Sequence, residues 1–586
     1  YYGLIHGYCN RVRLFCKRRL LLFVWALIIS PMSSNSAERC PKDCYCRLII
    51  QLEIGGVLRV SCTKGNMTSI PIDKISKEAF YIIIVAPPER PNFLTIGPIF
   101  TQPTPYVHLR ELHIVNSNVP SIGQYSFWGL KNLKLLNLSK NNLTGIEPDN
   151  FRGLINLTQL HLDHNAIEQM PSETFKHLTS LRSLTLSHNR ITVLVPRLFR
   201  MLAKLINLDL SYNPLTDLNP EVFKDIQHLK VFKCRKCYLQ RINTQIYHLT
   251  PNIEELDLGV NLFKYLTSDE FISLKKLKKL NLDGNQLSVI VDNMFSSNHE
   301  LRSLSLGSNR LALLAPAALT NLTNIIDLDL SNNRIDMFYI QNFVALSSLR
   351  NINFSGNNLK LDEIGTVLHV LPDVNGVGLA NLSLSYIPSN FFTYNQRLIY
   401  LDLSWNELSS FPYKLLIRSR FLQKLDISHN KLQTLDSRDL QRLEAISEID
   451  LSENQWHCDQ CSTRAMLTYM STTVLNSTIR QLKCFTPLNF RGKYFGQLTF
   501  DNLEVCPKGY EAQATVLAGL ALLCMFLVSA IIAAVYCTKR RAARYYTNEE
   551  KRQEYEHEHP DESLNRMELG NVATIDAPYH LMTKES

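Results

Sequence analysis

The sequence predicts an α/β solenoid with a parallel β-sheet on its concave face, and three observations carry that prediction. Apolar residues return in the pattern LxxLxLxxNxL fifteen times between Leu109 and Trp456. The steps are 24 residues each from Leu109 through Leu133 and Leu157 to Leu349; one step of 25 leads to Val374, and the rhythm resumes at Leu398, Leu422 and Ile446. A cluster of four cysteines between Cys40 and Cys62 stands before the array, and four more follow it directly. A fixed period of this length and pattern reads as a leucine-rich repeat horseshoe.

The physics of one repeat explains why there are many. A buried leucine returns about 2 kcal/mol, whereas each ordered residue costs roughly 1–2 kcal/mol. The seven apolar side chains of the repeat at Leu157 do not fold 24 residues alone. Stacked copies cover one another's open faces, and the two ends then need caps.

In chain order, residues 1–36 read as an export signal. Arg11, Arg13, Lys17, Arg18 and Arg19 precede the apolar run Leu20 to Ile29, and small residues follow around Ser34 to Ala37. The alternative is a retained membrane anchor. Residues 37–78 form a cysteine-rich cap around Cys40, Cys44, Cys46 and Cys62. Residues 79–108 are a degenerate first repeat, with a strand near Tyr81 to Val85 and then a proline-rich loop.

Within residues 109–456 the LxL segment is a short strand: Leu160 and Leu162 point inward and His161 between them points out. The ninth-position asparagines, among them Asn165, Asn189 and Asn309, sit where a buried amide satisfies backbone groups in the turn. Phe127, Phe151, Phe175, Phe199, Phe223 and their successors keep one phase, a stacked aromatic spine under the convex side. Cys234 takes an inward leucine position and Cys237 the ladder position, so both read as small buried residues, with a disulfide as the alternative. The repeat at Val374 has Leu382 where the ladder wants Asn, which predicts a local bend.

Residues 457–507 hold the second cysteine quartet, Cys458, Cys461, Cys484 and Cys506. Either quartet could be drawn as a zinc site, but an exported chain favours disulfides. Residues 514–536 are apolar and long enough for one transmembrane helix. Lys539, Arg540, Arg541 and Arg544 follow at once, which sets the repeats outside and the tail inside. The tail, residues 537–586, is charged, poor in apolar clusters and expected to be disordered. A single-pass type I protein of the plasma membrane follows from this order. The eight Asn-x-Ser/Thr sequons, at Asn66, Asn137, Asn142, Asn156, Asn321, Asn353, Asn381 and Asn476, all lie on the lumenal side of that span and read as glycosylation acceptors.

Composition narrows the function. The formal charge of the 586-residue chain is +9, and no basic run interleaves with aromatics on a long helix, so nucleic acid is not an expected partner. No GxSxG, HExxH, GxxxxGK[ST] or kinase signature occurs; an enzyme is not expected, and neither is a cofactor or metal. Binding is the expectation. The eighth-position column reads Lys140, His164, His188, Tyr212 and Lys236, with His161, Lys233 and Arg235 nearby. Aromatic and Arg side chains are enriched in interface cores. We therefore expect His161, His164, His188, Tyr212, Lys233, Arg235 and Lys236 to meet an acidic protein surface. The alternative is that these charges only keep the face soluble. The acidic column Asp402, Asp426 and Asp450 reads as ordinary repeat consensus.

Signal, cap, repeats, cap, span and short tail together resemble the leucine-rich repeat cell-surface adhesion receptors of the Tartan and Capricious type. The CPKDCYC start of the first quartet and the NQWHC start of the second resemble the caps of extracellular members. That resemblance implies the pairs Cys40–Cys46, Cys44–Cys62, Cys458–Cys484 and Cys461–Cys506; the spacing of Cys458 and Cys461 departs from the usual CxC. It further implies an extracellular or cell-surface protein ligand and recruited cytoplasmic adaptors. A co-receptor that captures a soluble immune or growth-factor ligand is the second reading.

Overall fold

The computed structural model describes residues 40–51, 55–100, 106–416, 419–472, 475–505 and 510–558. The signal segment, Cys506 and the tail beyond 558 lie outside them. Two units divide the chain, Tyr1–Glu504 and Val505–Ser586.

The described residues of the first unit form one sheet of 18 strands. It opens with an antiparallel hairpin, β1 (Cys44–Gln51) and β2 (Gly55–Cys62), in which Cys44 faces Cys62. From β2 onward every neighbour is parallel: β3 (Ala79–Val85), β4 (Glu111–Val115), and then one short strand per repeat as far as Glu448–Asp450. Disulfides Cys40–Cys46 and Cys44–Cys62 tie the hairpin. The degenerate repeat belongs to the solenoid. Leu94, Ile96, Phe100 and Tyr106 are buried in the common core, and the Tyr106 hydroxyl donates to the carbonyl of Ile72 at 2.7 Å.

Each repeat follows the alternation in its sequence. Leu160 and Leu162 are fully buried while His161 is half-buried on the outer face. The ladder amides do what their column requires. Asn189 Nδ2 donates to the carbonyls of Leu162 (3.0 Å) and Leu186 (2.9 Å), and its Oδ1 accepts from the Ile167 amide at 3.0 Å. Each such asparagine thus stitches its own turn to the previous repeat. The spine is present as well: Phe127, Phe151, Phe175 and Phe199 stack with centroids 6.1–6.4 Å apart.

One expectation changes, at the buried cysteines. Cys234 and Cys237 are fully buried as expected, but they form a disulfide rather than two separate thiols. The turn after the strand brings the sixth and ninth positions together, so two cysteines there meet. At Val374 the strands run through in unbroken register, Ile352 opposite Val377 and Val377 opposite Leu401. The longer step is taken up on the convex side, where Leu361–His369 is helical. Leu382 leaves the ladder, and Asn406 of the next repeat accepts from the Leu382 and Leu384 amides, both at 3.0 Å.

The array ends on a fully buried Trp456, the disulfide Cys458–Cys484, and helices Gln460–Thr472 and Asn476–Arg480. Cys461 is also disulfide-bonded.

Among the described residues the second unit holds one helix, Tyr510–Glu558. Its segment Ala518–Arg541 is long and apolar enough to cross a membrane, about 36 Å at 1.5 Å per residue. The expectation of a disordered tail is corrected as far as residue 558. Thr538 to Glu558 contains neither Gly nor Pro and is rich in Ala, Arg, Lys, Glu and Gln, the good helix formers, so the apolar helix continues through it.

Candidate ligand-binding face

Leaving the strand, the chain must swing its ninth side chain inward, and the eighth residue takes the left-handed conformation that permits this. Lys140, His164, His188, Tyr212, Lys236, Trp405 and His429 all have φ between 51° and 58°. This conformation costs a non-glycine residue about 1–2 kcal/mol, and it aims the side chain out at the flank of the sheet. Repeats stack at about 4.8 Å, so successive eighth-position rings lie on one another. His164 and His188 are parallel with centroids 4.1 Å apart, His188 and Tyr212 follow at 4.0 Å, and the Lys236 ammonium lies 5.6 Å from the Tyr212 centroid. The result is a cation-capped column of rings four repeats tall. Beside it a shallow depression of about 450 Å³ is lined by His188, Arg190, Tyr212, Pro214, Lys236 and Tyr238.

The structure brings His164, His188, Tyr212 and Lys236 together and turns the other three expected residues to internal work. Lys233 pairs with Glu255 at 2.9 Å, and that hydrogen bond raises its pKa. Arg235 grips both carboxylate oxygens of Asp283, at 2.7 and 2.8 Å, across an intervening repeat. It can do so because the residue between them is Gly259: a Cβ there would lie 2.2 Å from Arg235 Nη1. His161 Nδ1 meets Thr185 Oγ1 at 3.1 Å, which in turn donates to Asp163 at 2.9 Å. Burial holds the His161 pKa below its ordinary value, and the His188 pKa is lowered by burial and then by the adjacent His164. The expected basic patch is therefore narrower than its sequence, because neighbouring strands supply the carboxylates that bind Lys233 and Arg235.

Sequence reasoning stopped the column too early. Trp405, 60% exposed, stacks on His429 at 3.8 Å in the same eighth position. Tyr238 and Arg190 belong to the tenth position, which was not read as a column. A separate exposed group, Tyr125 and Trp128 with the Arg152 guanidinium 5.2 and 5.5 Å from their centroids, follows from no repeat position that the pattern marks. The aspartate column is structural, as expected: Asp402 and Asp426 accept from the Ser404 and Ser428 amides at 2.9 and 3.0 Å. Of the sequon asparagines, Asn66, Asn142 and Asn381 are exposed, and Asn137, Asn156, Asn321, Asn353 and Asn476 are half-buried.

Comparison with known proteins agrees with the fold. Leucine rich repeat models match residues 107–167, 155–215, 251–311 and 299–359, and a further one matches 421–443. No curated protein matches the chain. Among solved structures, a chain of the Drosophila Toll–Spatzle complex in its glycosylated form superposes with a TM-score of 0.53 at 22% identity, covering 75% of this chain and 60% of that one. The other form of that complex gives 0.51 at 23%, with 74% and 59% covered. The mouse RP105/MD-1 complex contains a chain with a TM-score of 0.52 at 21% identity, covering 75% of this chain and 82% of that one. This chain spans about six tenths of the Toll-complex chain it matches. At these identities the likeness is one of fold. Repeat pattern, amide ladder and superposition agree on the fold: the first unit is a leucine-rich repeat solenoid, with a chain of the Toll–Spatzle complex among its neighbours in fold.

Proposed function

We propose that the protein is a cell-surface receptor, displayed outside the cell by its one apolar helix, that mediates adhesion or recognition by binding an extracellular protein on the concave face. The observation that carries this reading is the column His164, His188, Tyr212 and Lys236 along the flank of the concave sheet, with His188 half-buried between exposed neighbours. Stacked rings are already ordered before a partner arrives, so little side-chain entropy is lost on contact. Lys539, Arg540, Arg541 and Arg544 beyond the apolar segment support an outward-facing array, and the residues after it would recruit adaptors. The neighbours in fold support a protein ligand, since their structures are complexes of Toll with Spatzle and of RP105 with MD-1. Those complexes also favour a second reading, a co-receptor that captures a soluble ligand for a signalling partner.

The test uses cells expressing the full chain, scored for aggregation and for capture of labelled secreted proteins. Aggregation supports adhesion, and capture without aggregation supports the co-receptor. In either assay His188→Ala with Tyr212→Ala and Lys236→Glu should weaken binding at least ~10-fold, the loss of one or two interface anchors, at normal surface level. Binding unchanged by the triple substitution would remove the column from the site.

A further inference from the structure

A second concavity lies at the opposite end of the strands. The groove, about 350 Å³, crosses four repeats and is lined by Arg182, Lys204, Ile206, His228, Lys230 and Lys276, together with Ala203, Asn252 and Glu254. Arg182, Lys204, His228, Lys230 and Lys276 are all exposed. In the repeat these are the second position and the residue just before the first leucine, so they form two parallel rows. The second position precedes the short strand, Ser183–Thr185 in the repeat at Leu181, and the eighth follows it beyond the turn. The groove is therefore distinct from the ring column.

Its charge is one-sided. Arg182, Lys204, Lys230 and Lys276 line it and Lys278 borders it, against the single lining carboxylate of Glu254. Glu254 is shared between Lys230 and Lys278, at 2.7 Å to each, and those two hydrogen bonds hold its pKa at about 2. Lys276 donates to Asn252 at 2.8 Å. With repeats about 4.8 Å apart, one row reads Arg182, Ile206, Lys230, Glu254 and the other Lys204, His228, Asn252, Lys276, so stacking spaces the cations along the groove at intervals of two or more repeats.

We propose that this groove binds a linear, sulfated polysaccharide. The lining selects that class. Lysine is depleted in protein interface cores, which prefer aromatic anchors, and the apolar side chains here are only Ile206 and Ala203. Single-stranded nucleic acid needs aromatic platforms for its bases, and no aromatic ring other than His228 lines the groove. A row of cations along a shallow channel matches a polymer whose negative charge repeats along its length. The inference goes beyond the protein-ligand reading and does not depend on it.

The experiment measures binding of the full-length chain, in non-ionic detergent, to immobilised heparin as a function of salt. Arg182→Ala with Lys204→Ala and Lys276→Ala should weaken binding by about ten-fold or more and flatten the slope of log K against log salt by roughly two to three, one per lost ion contact. Glu254→Gln should tighten binding. Lys140→Ala with Lys236→Ala, on the other flank, should leave it unchanged. The proposal is overturned if the groove variant binds heparin like the parent, or if the opposite-flank variant loses as much. It is overturned equally if desulfated heparin, single-stranded DNA or phosphatidylserine vesicles bind as tightly as heparin.

Discussion

The surroundings of His188 weaken its hold on a proton, and that sets a pH dependence. Burial and His164 lower its pKa; Asp209 and Asp163 oppose this, and Lys236 adds to it. His161 is lowered chiefly by burial, against Asp163 and with His113. Both histidines bind protons more weakly folded than unfolded, where the pKa is about 6.5. The unfolded state therefore gains protons first as pH falls, and stability drops between about 6.5 and the lowered folded values. We expect a lower melting temperature at pH 5 than at pH 7, and a smaller difference in the His161→Gln, His188→Gln variant. An identical pH profile in parent and variant would contradict the assignment.

At the scale of the element, the amide ladder separates what was legible from what was not. Inward positions were readable because burial admits so few side chains: leucines at fixed offsets, asparagines at the ninth. Asn309 illustrates the constraint, with Nδ2 donating to Leu282 and Leu306 at 2.9 and 3.0 Å and Oδ1 accepting from the Leu287 amide at 3.0 Å. Asn309→Ala leaves these buried groups unpaired and should cost about 2–4 kcal/mol in chemical denaturation. A loss below half a kcal/mol would mean that water replaces the amide. Outward positions were half legible. The column of His164, His188, Tyr212 and Lys236 followed from the period, but the ion pairs of Lys233 and Arg235 did not. Those depend on which carboxylates the adjacent strands supply and on the space left by Gly259. The Cys234–Cys237 bond, the second of two readings in the sequence, was undecided for a related reason, since it depends on how closely the turn brings two positions together.

For the first unit as a whole, the ends matter most. Strand β1 is the last of the sheet, and its outer edge carries backbone groups that no repeat covers. The disulfides Cys40–Cys46 and Cys44–Cys62 tie β1 to the segment before it and to β2, and β2 in turn pairs with β3. Cys44→Ser with Cys62→Ser, which opens a loop with a sequence separation of 18, should cost about 3 kcal/mol and lower the melting temperature of the amino-terminal repeats. A melt unchanged by the substitution would show that packing alone seals that end. The left-handed eighth position has a different consequence. Because the backbone, and not the core, dictates where those rings point, the column can be rewritten during divergence without disturbing the leucines beneath it. Since a ring inside the column, as His188 is, touches the one above and the one below, a change there edits two contacts at once, and the flank is rewritten by neighbouring pairs instead of single letters.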